Sequence, residues 1–147
     1  MFSVSVQAED FDLGAEVAAL SGDNVGAVAS FVGRVRGGAQ DGVSAMTLEH
    51  YPGMTEKSLE EIVLKARQRW ELLGVRVVHR IGRLLPGEQI VLVAVASRHR
   101  GSAFAACEFI MDFLKTQAPF WKMEETPEGS RWVDARESDT TALDKWA

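Results

Sequence analysis

The chain has 147 residues, enough for one domain with a sizeable core, and its 46% hydrophobic and 25% charged content is that of a globular protein. A net charge of −5 excludes polyanion binding by bulk charge, so any anion site must be a local patch. The single cysteine, Cys107, excludes an internal disulfide and a cysteine-rich metal site.

From the N-terminus, Phe2, Val4 and Val6 alternate with polar residues and predict a strand. The opening MFSVSVQAEDFDL then turns acidic, unlike a signal peptide, and no apolar run approaches a membrane span, so the expected location is the cytoplasm. Asp10 to Leu20 reads as a short helix ending near Gly22. Val25 to Arg36 reads as a strand in which Gly33 marks a bulge or a close backbone approach. The glycine-rich loop Gly37 to Gly42 follows, expected to be mobile, and Val43 to His50 returns as a second strand.

Pro52 and Gly53 turn the chain into a helix whose apolar positions Leu59, Ile62, Val63, Ala66 and Trp70 repeat at helical spacing, with Gly74 as its stop. Val75 to Ile81 and Gln89 to Ser97 are β-branched-rich strands joined through the turn Leu85-Pro86-Gly87-Glu88. A second helix spans Ser102 to Thr116, with Ala103, Ala106, Cys107, Ile110, Met111 and Leu114 as its stripe and Phe104, Phe109 and Phe113 widening it. Short strands are expected from Phe120 to Asp134, followed by a polar, loosely held tail from about Glu137. Strands and helices mix without a regular βαβ rhythm, which predicts a single α+β unit over residues 1–147 with a largely antiparallel sheet.

The segment FLKTQAPFWKME, Phe113 to Glu124, is the most informative. Lys115 closes the second helix, Pro119 interrupts it, and Lys122 follows beside Phe120 and Trp121. Two amines near aromatic surface can bind an anion, or depress each other's pKa until one serves as nucleophile or proton donor. Equally open is that both lysines are solvated and the aromatics are core.

Two further clusters stand out. Arg98, His99 and Arg100 precede Ser102 where a strand meets a helix N-terminus, a place that favours phosphate or carboxylate; alternatively the arginines pair with surface acids and Ser102 caps the helix. Arg34 and Arg36 share a strand face beside the glycine loop, as a charged edge or as a clamp over a ligand. His50 and Tyr51, with Glu49, and His79 between Arg76 and Arg80 read as structural, and Trp121 and Trp132 as core or interface. Cys107, in an apolar stripe, reads as a small hydrophobe rather than a thiolate. The scattered histidines offer no metal triad, and no phosphate-loop, dinucleotide, zinc-protease or serine-hydrolase motif occurs.

Over nearly its whole length the chain resembles the MoaE family, the large, catalytic subunits of bacterial molybdopterin synthases. The resemblance rests on FVGRVR, LEHYPGMTEKSLEEI, VVHRIGRLLPGE, SRHRGSAFAACEFIMDFLK, APFWKMEETPEG and RWVDARESD, in that order. It implies an α/β-hammerhead-like lobe and a homodimer at the centre of a heterotetramer. A small ubiquitin-like subunit sits at each end, and its C-terminal Gly-Gly thiocarboxylate supplies sulfur. The implied reaction converts cyclic pyranopterin monophosphate into the dithiolene of molybdopterin with no cofactor or metal of the chain's own.

Carried over residue by residue, the resemblance assigns Lys115 and Lys122 to catalysis. It assigns Arg34, Val35, Arg36, His99, Arg100, Lys115, Lys122, Met123 and Glu124 to substrate binding. Gln117 and Met123 stand where relatives often have basic residues, and the Gly37–Gly42 loop is short here. Glu49 and His50 receive no chemical role. The competing class is a non-catalytic anion- or nucleotide-binding module using the same arginines, for which the expected basic stripe with interleaved aromatics is missing.

Overall fold

The computed structural model describes residues 1–38, 42–133 and 137–147, without the side chains of residues 137–140. The centre of the glycine loop (39–41) and residues 134–136 of the RWVDARESD string therefore lie outside the described residues. Two four-stranded sheets form among the residues described.

The first sheet is built around the strand with the longest apolar run. Strand β1 (Phe2–Gln7) is followed by helix α1 (Leu13–Ala18) and strand β2 (Ala27–Arg34). With β4 (Gly74–Arg80) and β6 (Gln89–Ser97) the strand order is β1-β4-β6-β2, parallel only between β1 and β4. In β6 the sequence QIVLVAVAS is apolar at successive positions because both faces are covered. Val91, Val93 and Val95 face a core shared with helices α2 (Met54–Arg69) and α3 (Arg100–Gln117). Leu92, Ala94 and Ala96 face Phe11, Leu20 and Val78 on the other side. Gly33 does mark the irregularity of β2, since the register with β6 shifts between Gly33 and Arg34.

The second sheet has the order β5-β3-β7-β8, antiparallel throughout, from β3 (Ala45–His50), β5 (Gly82–Leu84), β7 (Phe120–Thr126) and β8 (Gly129–Val133). Its inner face carries Met46, Leu48 and Leu84, which pack with Val35 of the chain leaving β2. This small core ties the two sheets together at the end where α3 finishes. The fold is thus α+β with predominantly antiparallel pairing, as the element pattern predicts.

Several expectations change. Helix α1 is shorter than Asp10–Leu20, because Asp12 acts as its N-cap, accepting from the Ala15 amide at 2.9 Å. Gly74 does not stop α2, which ends at Arg69; it opens β4 instead, where a Cβ would press on Leu20 and the Met1 carbonyl at 3.0 Å. Strand β5 leaves no trace in the sequence pattern, its three residues being too few for a periodicity. Helix α3 starts at Arg100, two residues early. Phe104 does not widen its buried face: it is 65% exposed. Trp121 and Trp132, 47% and 54% exposed, are not core within this chain.

The tail differs most from expectation. It carries helix α4 (Glu137–Asp144), and Trp146 docks edge-on against Trp70 and Phe109. The Trp146 indole N–H donates to Asp112 at 2.7 Å, its carbonyl accepts from Arg69 at 2.9 Å, and Lys145 pairs with Glu108 and Asp112. A single large aromatic at the chain end outweighs the polar composition that suggested a loose segment.

Candidate functional site

Helix α3 runs back along the first sheet from the end of β6, so its last turn returns to where β2 finishes and β7 begins. Lys115 lies in that last turn, where a cation also complements the helix dipole. Pro119 lacks an N–H and cannot continue the helix; Ala118 is already extended, and the chain re-enters regular structure at Phe120. Lys122 then opposes Leu48 across β7 and β3, and Phe120 opposes His50. Alternation places Phe120, Lys122 and Glu124 on the inner face, with His50, Leu48 and Met46.

The break between the two lysines is held from two sides. Thr55, in the first turn of α2 and fully buried, accepts from the Tyr51 amide and donates to the Pro119 carbonyl, both at 2.9 Å. His79 of β4, 4% exposed, stacks on Phe120 with centroids 3.7 Å apart and planes 17° off parallel. A carbonyl can only accept, so the 2.8 Å contact of His79 Nδ1 with the Arg80 oxygen places the proton on Nδ1. Burial pulls the imidazole down to about 3, against the opposing hydrogen bond; the charges of Lys122, Lys115 and His50 push the same way as burial. His79 is therefore neutral. Lys115 of α3, Lys122 of β7 and His50 of β3 are near enough to act on it electrostatically.

Arg34 and Arg36 are exposed at the same end of the molecule, on either side of Val35. Val35 is 3% exposed, packs with Leu48, and is bonded through its amide to Glu88 and through its carbonyl to Gly87. It anchors the chain leaving β2 to the small core of Met46, Leu48 and Leu84, between two exposed arginines. The stem of the glycine loop closes just beyond, through Gly38 N–H to the Val43 carbonyl at 2.9 Å.

His99 and Arg100 are not brought to this end. They begin α3, and Lys115 lies fifteen residues later on the same unbroken helix, about 22 Å along its axis. His99 occupies the N-cap position, rather than Ser102, and makes no side-chain capping bond. Met123 points to the opposite face of β7 from Lys122, beside Trp132 and Thr47. Glu124 shares the Lys122 face and is engaged by Arg131 at 3.3 Å. An open hollow of about 200 Å³ lined by Leu20, Asp23, Asn24, Val25 and Gly74 contains none of the predicted residues.

Thr55 and His79 escaped the sequence reading as site residues. His79 left a usable signal: it continues the alternating stripe Val75, Val77 that faces the core, a position where a valine is expected and an imidazole is conspicuous. Thr55 left none, because a threonine in a first helical turn reads as ordinary. Cys107 is buried and its thiol is pushed up to about 11 by burial and by Glu108, which leaves it protonated. Among the described residues no group of three or more His, Cys, Asp or Glu side chains is placed to hold a metal ion. No helix there is long and apolar enough to cross a membrane.

Known proteins resemble the chain over nearly its whole length. A family model described as MoaE protein matches residues 6–117. The chain is 62% identical to the molybdopterin synthase catalytic subunit of Ralstonia nicotianae, covering 99% of this chain and 85% of that one. It is 60% identical to the molybdopterin synthase catalytic subunit of Vibrio cholerae, with 97% of each covered. Its fold superposes on the solved structure of the molybdopterin biosynthesis MoaE protein of Burkholderia ambifaria with a TM-score of 0.86 at 59% identity, over 99% of this chain and 98% of that one.

Proposed function

The chain belongs to the MoaE family, and from that premise we propose that it is the catalytic subunit of a molybdopterin synthase, acting as a sulfurtransferase in molybdenum cofactor biosynthesis in the cytoplasm. The observation that carries the reading is that Lys115, in the last turn of α3, and Lys122, on the inner face of β7, flank one short break at Ala118 and Pro119, against which the buried His79 stacks through Phe120.

The substrate is cyclic pyranopterin monophosphate, and the sulfur arrives as the C-terminal thiocarboxylate of a small ubiquitin-like partner. The thiocarboxylate sulfur attacks an electrophilic side-chain carbon of the pterin, forming a C–S bond and an acyl intermediate as the C–O bond at that carbon breaks; the oxygen leaves as water after protonation, or stays on the phosphate where the cyclic phosphate opens. Water then cleaves the acyl–sulfur bond, leaving sulfur on the pterin and a carboxylate on the partner. A second round completes the dithiolene. Lys115 stabilises the developing oxyanion or donates a proton, and Lys122 offsets negative charge as the cyclic phosphate opens. Arg34 and Arg36 hold the phosphate end. Cys107, buried and protonated, carries none of the sulfur, and the reaction calls for no metal or cofactor of the chain's own.

His99 and Arg100 enter through symmetry. Their separation from Lys115 along α3 exceeds the span of a pterin, so in a homodimer they serve the site of the second protomer. Each site is then completed by two chains.

The test is reconstitution with a thiocarboxylated small subunit and cyclic pyranopterin monophosphate, scoring dithiolene product. Wild type is expected to form product, and Lys115→Ala to lose nearly all of it while still binding the small subunit. A folded wild type that binds the partner yet forms no product refutes the reading. A mixed dimer of Lys115→Ala with His99→Ala/Arg100→Ala chains checks the shared site. It is expected to keep one intact site, and therefore activity.

A further inference from the structure

The distance between Lys115 and Lys122 is not fixed by either element that carries them. One sits on a helix and the other on a strand, and the intervening Thr116–Trp121 stretch contains a proline break. Thr116 and Gln117 still belong to α3 and Phe120 and Trp121 to β7, so Ala118 and Pro119 alone join the two elements; there Ala118 N–H reaches the Leu114 carbonyl at 3.4 Å, and Phe120 N–H the Ala118 carbonyl at 2.9 Å. Pro119 contributes no donor. Left to those bonds, φ and ψ of Ala118 and ψ of Pro119, whose φ the ring fixes, would remain to vary the angle between the helix and the strand.

We propose that Thr55 and His79 are positioning residues that clamp this break from opposite sides and so set the spacing of Lys115 and Lys122; the inference rests on the molybdopterin synthase reading above. Thr55 is suited to the task because its hydroxyl has one proton, and that proton is committed to the Pro119 carbonyl. Its lone pair is held by the Tyr51 amide, which fixes the direction of the O–H. A valine would fill the same buried space, so the hydroxyl rather than the volume is what the site uses. His79 provides the other jaw, a flat ring lying against Phe120, where an aliphatic side chain in the Val75–Val77 stripe would offer no stacking surface. Its Nδ1–H bond to Arg80 locks the ring plane. The ring is uncharged, so it can lie near two ammonium groups and His50 without repelling the cations it positions.

The experiment compares wild type, Thr55→Val, Thr55→Ser and, as a partly exposed alternative should the valine variant fail to fold, Phe120→Leu. Each is checked for melting temperature and small-subunit binding, then followed in two assays. The first is the reconstituted reaction, with kcat and KM for cyclic pyranopterin monophosphate separated. The second needs no turnover: acylation of Lys115 and Lys122 by an amine-reactive acetyl ester, read as the ratio of the two labels by peptide mass spectrometry.

Thr55→Val and Phe120→Leu are expected to lower kcat about tenfold to a hundredfold through misplacement of about 1 Å, with KM little changed. They are also expected to shift the label ratio, and Thr55→Ser to restore both readouts. A folded Thr55→Val or Phe120→Leu protein with wild-type kcat and label ratio overturns the proposal, and so does a fall in kcat with an unchanged ratio. If wild type itself makes no product, the functional reading fails and the label ratio alone decides whether the clamp exists.

Discussion

Gly26 and Gly101 flank the Arg98–His99–Arg100 cluster, and substituting alanine at each should have opposite effects. A Cβ on Gly26 would lie 2.2 Å from the Arg98 carbonyl oxygen and 3.2 Å from its carbon. Carbon–oxygen contacts settle near about 3.3 Å, so the two backbones must part by roughly 1 Å. The Gly26 N–H donates to the Ser97 carbonyl at 3.0 Å, and that separation breaks the bond at a cost of about 1 kcal/mol. Displacing packed backbone adds about 1–3 kcal/mol. The combined loss of about 2–4 kcal/mol corresponds to a melting temperature lower by roughly 10 °C for a chain of this size. Around Gly101, by contrast, nothing lies within 4 Å of the place a methyl group would take, and alanine in the first turn of α3 should stabilise by about 0.5–1 kcal/mol. Calorimetry or circular dichroism melts of the two variants give the answer. In the reconstituted reaction Gly26→Ala should raise KM for the pterin by moving His99 and Arg100, while Gly101→Ala leaves it unchanged. A Gly26→Ala protein that melts with wild type would refute the reasoning, because no rearrangement short of moving Arg98 relieves a backbone contact of 2.2 Å.

Three other outcomes follow from particular contacts. Trp146→Ala removes a half-buried indole, its bond to Asp112 and its contacts with Trp70 and Phe109; the expected loss is about 2–3 kcal/mol, below the figure for a fully buried tryptophan, and an unchanged melt would show that the tail does not dock. His79 titrates lower in the folded chain, about 3 against its ordinary 6.5, so the unfolded chain binds its proton first as pH falls. Its contribution is intact above 6.5 and is lost between there and about 3, with a slope of up to about 1.4 kcal/mol per pH unit. His79→Phe should flatten that part of the acid limb in urea titrations; identical limbs would contradict a buried neutral imidazole. Cys107, with its thiol pushed up to about 11, should resist iodoacetamide at about pH 8 in the native protein and react at once in denaturant, and Cys107→Ala should retain synthase activity.

How much of this was legible in the sequence depends on the range of the interaction involved. The 3.6-residue stripe of α2 and the apolar run of β6 report local geometry, so the elements and the α+β class could be read directly. The segment around Pro119 announced itself because a proline between two lysines is a local fact. The motif strings gave the family and, with it, the expected roles of Lys115, Lys122 and the arginines.

What the linear order does not contain is which distant residues meet. His79 and Thr55 sit 36 and 60 residues before Lys115 in the chain, yet sheet packing and one hydroxyl bring them to the same break. His99 and Arg100 are nearer in sequence and, on a rigid helix, far away in space. The tail read as loose because its composition is polar, while a single indole finding Trp70, Phe109 and Asp112 decides otherwise. Periodicity and motif depend on neighbours along the chain; the clamp, the helix-imposed separation and the docked tail depend on how elements pack, which only the tertiary structure decides.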